Sequence, residues 1–289
     1  MELLTGSEAD KSLVENHPFR PKFYLNGFPK AGLHWVGLMV MPLATQLPAY
    51  DVVFDTSWTG TFKFNSWTTE WWELERWAYR SSLLQPGFFM HTHTGYTPEI
   101  EQFLRLLGVA HVFIYRDLRD VVVSQAHHIM SDDDERFVHP GKPFYRKLGS
   151  FEAVIKACIE GIGPFPGIFE RWELYAPWLD VDWVFKIAFD DLQNEPLETA
   201  RRLIMYSASR VADIFDAELT LPYDSRTKLA AMMVLCGTLK HKSSTFRKGT
   251  SGGWREHFTP AIVDLFKQCD TNGWLKRLGY VRDDSWGVE

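Results

Sequence analysis

The sequence predicts an α/β fold, one domain over residues 1–289 with a central parallel sheet flanked by helices, and three observations predict it. Apolar runs of strand length alternate with stretches of helical pattern, the arrangement that gives parallel strands joined by crossover helices. Each run ends in a polar or glycine-rich turn before the next helix begins. No internal repeat, low-complexity tract or linker interrupts the alternation, so one core is expected, from about residue 20 to about 285, with residues 1–18 as a poorly ordered arm.

The first strand candidate, Lys22 to Gly27, leads into Gly27-Phe28-Pro29-Lys30-Ala31-Gly32-Leu33-His34-Trp35. A helix should begin near Gly32 and be ended or kinked by Pro42, which has no N–H to donate to the preceding turn. The second candidate runs from Gly87 to Thr92, within the segment GFFMHTHT (Gly87 to Thr94). After it, Thr97, Pro98, Glu99 and Glu101 supply an N-cap, a proline at the first helical position and acids in the first turn, and this helix should stop at Gly108. The third candidate, His111 to Arg116, passes through Asp117-Leu118-Arg119-Asp120 into a helix from Val121 to Met130. The fourth, Trp183 to Phe189, passes through Asp190-Asp191 to a helix from about Pro196 to Phe215. Ser131 to Gly149 and Ser243 to Gly253 read as long loops of the kind that clamp ligands. Ligands of such sheets bind beyond the carboxyl ends of the strands, where helix N-termini lie.

Composition narrows the function. An apolar fraction of 45% and a charged fraction of 24% are ordinary for a globular protein. A net charge of −6 argues against a nucleic-acid partner, so any anionic ligand must be met by a few placed cations. Cys158, Cys236 and Cys269 are far apart and show no C-x-x-C spacing, which indicates neither a disulfide framework nor a zinc cluster and suits a reducing cytoplasm. The N-terminal stretch is acidic with no signal-peptide pattern, and the longest apolar run, Trp35 to Met41, is far too short to span a bilayer. A cytoplasmic protein without a membrane partner is expected, its oligomeric state open.

Three segments carry chemistry. Gly27 to Gly32 has the G-x-x-x-x-G frame of a phosphate loop, but Leu33 and His34 stand where a triphosphate loop places its Lys and its magnesium-binding hydroxyl. The loop amides and the helix start can cradle a terminal phosphate, with the Lys30 ammonium among them, and no hydroxyl follows to hold a metal. Alternatively this is a glycine-rich turn with a solvated lysine. In the second segment, HVFIYRDLRDVVVSQAHH (His111 to His128), a strand delivers Arg116 and the next helix Ser124, which together can grip a second phosphate. Otherwise Arg116 pairs with Asp117 or Asp120 on the surface. The third, Phe246 to Arg255, sets Arg247 and Lys248 before Gly249 in a flexible loop, suited to an anion or simply to solvent.

Together the three segments resemble the sulfotransferase family that uses 3′-phosphoadenosine-5′-phosphosulfate (PAPS). PKAGLHW is similar to the family loop P-K-S-G-T-T-W, YRDLRDVVVSQAHH to Y-R-D/N-P-R-D-V-x-V-S-x-x-x-H, and RKGTSGGW to R-K-G-x-x-G-D-W, in the same order from Pro29 to Trp254. The resemblance implies a P-loop-like sulfotransferase fold, PAPS as donor, adenosine 3′,5′-bisphosphate (PAP) as product and no metal. It implies that Lys30, Ala31, Gly32, Leu33 and His34 hold the 5′-phosphosulfate and that Trp35 stacks on adenine. Arg116, Ser124, Arg247, Lys248 and Gly249 would hold the 3′-phosphate. The family's catalytic base matches His93, while His91 replaces its lysine. Both imidazoles lie two residues apart and so share one strand face. An imidazole titrating near neutrality suits removal of an acceptor proton, and a His-x-His metal pair is the competing reading.

Several positions depart from the family pattern. The loop with G-x-H-W looks like that of bacterial sulfotransferases acting on natural products, which suggests a small-molecule acceptor of that kind. Phe189 stands where the family has a tyrosine near adenine. The acceptor would meet the segment Asp51 to Arg80, where Trp67, Trp71 and Trp72 alternate with acids, and the run Ser131 to Glu135. Aromatic walls with carboxylates can hold a cationic acceptor, or the tryptophans pack a core beneath a solvated acidic face. A nucleoside-triphosphate-dependent kinase and a degenerate, non-catalytic nucleotide-binding protein are the alternatives.

Overall fold

The computed structural model describes residues 21–44, 63–64, 77–79, 81–82, 84, 86–87, 89–131, 141–215, 223–238 and 249–287. Five parallel strands form the central sheet: β1 (Phe23–Gly27), β2 (Lys63–Phe64), β3 (Phe89–Thr94), β4 (Ala110–Tyr115) and, late in the chain, β7 (Phe185–Ala188), in the order β2-β3-β1-β4-β7. Between them lie α1 (Leu33–Ala44), α2 (Pro98–Leu106), α3 (Leu118–Met130), α4 (Lys142–Tyr145), α5 (Phe151–Glu160) and α6 (Ile168–Glu173). A small antiparallel pair, β5 (Gly161–Ile162) with β6 (Phe165–Pro166), stands apart from the main sheet. After β7 come α7 (Phe189–Asn194), α8 (Pro196–Phe215), α9 (Tyr223–Gly237), α10 (Pro260–Cys269) and α11 (Trp274–Arg277).

β1 sits centrally, pairing with β3 in the register Leu25↔His91 and with β4 in the register Leu25↔Val112. All five of its residues are buried, as strands covered on both faces require. The chain leaves β1 toward β3 on one side and later leaves β4 toward β7 on the other. The crevice between the ends of β1 and β4 is therefore the topological switch point, where ligands of such sheets bind.

The four strand candidates and the helices expected after them appear near the places the pattern gives, with local differences: the fourth strand stops at Ala188 so that Phe189 opens α7, the expected long loop from Ser131 to Gly149 contains α4, and three more concern element ends. β3 ends at Thr94 rather than Thr92, because β2 pairs with its last two residues in the register Lys63↔His93 and Phe64↔Thr94, and the Asn26 side chain of β1 adds to this. Asn26 Nδ2 donates to the Thr94 carbonyl at 2.9 Å, and Thr94 N donates to Asn26 Oδ1 at 2.9 Å. α3 starts at Leu118, three residues before Val121, because Asp117 caps it by accepting from Arg119 N at 2.9 Å. α1 continues to Ala44 with Pro42 in its last turn, where the missing N–H forgoes one helical bond instead of ending the helix. Thr97 caps α2 as expected, accepting from Ile100 N at 3.2 Å, and α8 spans the expected residues.

Candidate active site

The loop from Phe28 to Gly32 bridges the end of β1 to the start of α1. Phe28 N donates to the Ile114 carbonyl at 3.2 Å and Ala31 N to the Phe28 carbonyl at 3.0 Å, so the loop is a tight turn braced on β4. Lys30 has φ of 72°, the one non-glycine with positive φ among the described residues. An L-residue held left-handed stores roughly 1–2 kcal/mol, and such strain gathers at functional sites. Gly32 has φ of 102°, and a Cβ there would stand 2.7 Å from Phe189 Cδ2. α1 then begins at Leu33, placing the positive end of its dipole at the loop.

Phe189, the first residue of α7, joins three expected contributors. Its ring seats on Gly32, lies 5.5 Å from the Trp35 ring at 76°, and carries the Arg116 guanidinium 4.2 Å above its centroid. Trp35 is backed by α9, where a Cβ on Gly237 would come 2.8 Å from its indole nitrogen. Trp35 and Phe189 thus form an aromatic corner beside the loop, able to receive a flat ring.

Arg116 follows β4 and is 8% exposed. It pairs with Asp120 at 3.6 Å, the partner the competing reading offers, but in a buried setting, and its Nη2 donates to the Thr250 carbonyl at 2.7 Å. Its Nε has no hydrogen-bond partner, and neither has the buried Oγ of Ser251. Two orphaned donors in neighbouring residues fit an anion such as a phosphate. Ser124 lies one helical turn past Asp120 on the same face of α3 and is half-buried. Gly249, with φ of 62°, opens the described part of the third segment. Arg247, Lys248, Trp67, Trp71 and Trp72 lie outside the described residues.

On β3, His93 Nδ1 is 2.6 Å from the Gly27 carbonyl. A carbonyl only accepts, so Nδ1 carries a proton, and in the neutral imidazole the lone pair is on Nε2. The end of β3 is held from below: Tyr175 Oη donates to the His93 carbonyl at 3.1 Å and Trp178 Nε1 to the Thr94 carbonyl at 3.0 Å. His91 is buried against α1, where a Cβ on Gly37 would collide with its Nε2, and its ring lies 5.5 Å from that of His34. Burial, followed by the charge of Lys30, lowers the His34 pKa to about 4. Burial, followed by His34 and His93, pushes His91 well below the usual imidazole value. Both are neutral at pH 7. Among the described residues no group of three or more His, Cys, Asp or Glu is placed to hold a metal ion.

The structure therefore brings Lys30, Gly32, Trp35, Phe189, Arg116 and His93 to one edge of the sheet. Sequence reasoning missed Asn26, Tyr175 and Trp178 behind β3 and Gln193 behind the third segment, where Ser251 N donates to Gln193 Oε1 at 2.9 Å, and it had Asp120 only as a surface partner of Arg116. Only Asp120 carried a local signal, its place four residues after Arg116.

A sheet edge of this kind, with a strained lysine loop opening a helix and a second cationic centre across the switch point, belongs to the P-loop-like class of α/β transferases. Residues 20–272 match the family model described as the sulfotransferase domain, so the chain belongs to that family and is a sulfotransferase. A mouse sulfotransferase, SULT7A1, solved in complex with PAP, shares the fold with a TM-score of 0.56 at 14% identity, over 93% of this chain and 92% of that one. A retinol dehydratase solved with retinol and PAP gives a TM-score of 0.48 at 15% identity, over 93% of this chain and 85% of that one. No curated protein matches the chain by sequence.

Proposed function

We propose that the enzyme moves a sulfuryl group from PAPS to a hydroxyl or amino group of a small molecule by direct in-line transfer, with His93 as general base. The observation that supports this reading is the bond from His93 Nδ1 to the Gly27 carbonyl at 2.6 Å, which in the neutral imidazole leaves Nε2 as the proton acceptor. The orphaned Arg116 Nε and Ser251 Oγ support a donor with a 3′-phosphate, which distinguishes it from ATP. PAPS, a substrate here, supplies an activated sulfuryl group whose leaving oxygen carries charge on departure.

His93 Nε2 takes the acceptor proton as the acceptor attacks sulfur. Lys30 and the amides at the start of α1 balance negative charge developing on the bridging oxygen. The aromatic corner of Trp35 and Phe189 orients the base, and Arg116, Ser124 and the loop at Gly249 hold the 3′-phosphate. Catalysis then rests on position and preorganised charge, as in phosphoryl transfer. Neutral His34 stands at the 5′-phosphate as a hydrogen-bonding group without added charge. A cytoplasmic enzyme acting on a microbial natural product, with Trp67, Trp71 and Trp72 near a cationic acceptor, is the finer reading.

Replacing His93 with Ala should lower kcat by roughly 100- to 10,000-fold while PAP affinity, measured calorimetrically, holds. Near-normal turnover would remove His93 as the base. Tighter binding of ATP with magnesium than of PAP, with a phosphorylated product, would instead favour a kinase.

A further inference from the structure

Asp120 lies in the first turn of α3 and is 3% exposed, deep enough that its carboxylate needs satisfied partners. Those partners come from a segment more than a hundred residues away. Its Oδ2 accepts from Gly252 N at 2.8 Å and its Oδ1 from Trp254 N at 2.9 Å. The same segment is gripped twice more: Arg116 Nη2 reaches the Thr250 carbonyl at 2.7 Å, and Gln193 Oε1 receives Ser251 N at 2.9 Å. Gly252 turns the chain with φ of 80°, which brings the amides of residues 252 and 254 onto one carboxylate. Trp254 closes over the junction, with the Arg119 guanidinium 4.0 Å from its ring.

We propose that Asp120 is a positioning residue that latches residues 249–254 onto the start of α3, and so sets the enzyme's preference for a nucleotide bearing a 3′-phosphate. The inference rests on the reading of Arg116 and Ser251 as donors to that phosphate. Both carboxylate oxygens of Asp120 are engaged by loop amides. It holds the loop backbone in the arrangement that leaves Arg116 Nε and Ser251 Oγ in need of an acceptor, and its 3.6 Å approach to Arg116 orients the guanidinium. If only a fraction of molecules have the loop latched, the apparent dissociation constant rises by the inverse of that fraction. Hydrogen bonds to a buried carboxylate are strong enough that losing two should leave roughly 1–10% of molecules latched, an effect of about 10- to 100-fold. The loop before α1 is braced on β4 by the bond from Phe28 N to the Ile114 carbonyl, so 5′-group binding should be spared.

The test compares PAP with adenosine 5′-monophosphate, which lacks the 3′-phosphate, by calorimetry on the full-length wild type, Asp120→Ala and Asp120→Asn. Kinetics with PAPS run alongside. For Asp120→Ala the PAP dissociation constant should rise about 10- to 100-fold with less than about threefold change for the monophosphate, and KM for PAPS should rise with kcat largely kept. Asp120→Asn, which keeps one accepting oxygen, should fall between. Equal weakening of both nucleotides, a fall in kcat at unchanged KM, or failure of both variants to fold would make Asp120 a general support and overturn the latch. A wild type with no preference for PAP over the monophosphate would instead overturn the 3′-phosphate reading itself.

Discussion

Lys30 shows how a single residue can be held against its own backbone preference. Its φ of 72° lies in the region that glycine enters freely and other residues enter at roughly 1–2 kcal/mol. Replacing Lys30 with Gly removes that strain but adds the entropy of a glycine in the unfolded chain, roughly 0.5–1 kcal/mol. The first quantity is the larger, so Lys30→Gly should melt at the same temperature as the wild type or a little higher. The ammonium is lost in the same change, and kcat should fall at least about 100-fold, the size of removing one preorganised charge at a developing anion. A variant that melts clearly lower and keeps its turnover would mean that Lys30 is there for structure. The lysine itself is visible in the sequence from the two glycines around it, whereas its strain is not, because φ is set by how tightly the turn is braced through Phe28 on β4.

At the scale of elements, α1 can lie on β3 only because Gly37 has no side chain. By propensity alone Gly37→Ala should stabilise a helix interior by up to about 1 kcal/mol. Here the added methyl would collide with His91 Nε2, and overpacking a close contact costs about 1–3 kcal/mol. The collision wins, so Gly37→Ala should lower the melting temperature, and it should raise KM for PAPS as α1 and its loop move off β3; a rise in melting temperature would show that the interface gives way easily. Alternation of strand and helix periods was legible because each element's burial repeats along a few residues, and so were the caps at Thr97 and Pro98. Asn26, Tyr175, Trp178 and Asp120 were not legible in their roles. Each makes its bond to a residue 68 to 134 positions away, a distance at which no local pattern carries information. The same limit explains why Arg116 looked like half of a surface ion pair: its partner Asp120 is near in sequence, but the burial that makes the pair consequential comes from the Thr250 segment.

At the scale of the whole molecule, three imidazoles among the described residues are buried at or near the sheet with their pKa values lowered. His34 is lowered to about 4, His91 well below its usual value and His111 to about 3, in each case chiefly by burial. His111 is fully buried on β4 among the rings of Tyr24, Trp178 and Trp183, and neither of its nitrogens has a hydrogen-bond partner. Below pH 6.5 the unfolded chain takes up protons that the folded chain refuses until about pH 4 or lower. Stability present at pH 7 is therefore lost as pH falls through that window, by up to about 4 kcal/mol per pH unit if all three act together. Set against a total of roughly 5–15 kcal/mol, that slope places acid unfolding near pH 5, above the range in which carboxylates alone would cause it. Urea unfolding at pH 7, 6 and 5 should show the midpoint dropping steeply at constant m-value. His111→Phe keeps a ring in the aromatic box and deletes one titration, so its slope should be shallower by about a third, near 1.4 kcal/mol per unit. A wild-type midpoint that stays level between pH 7 and 5 would mean that these imidazoles charge within the folded chain, and the sheet would then have to tolerate a cation among Tyr24, Trp178 and Trp183.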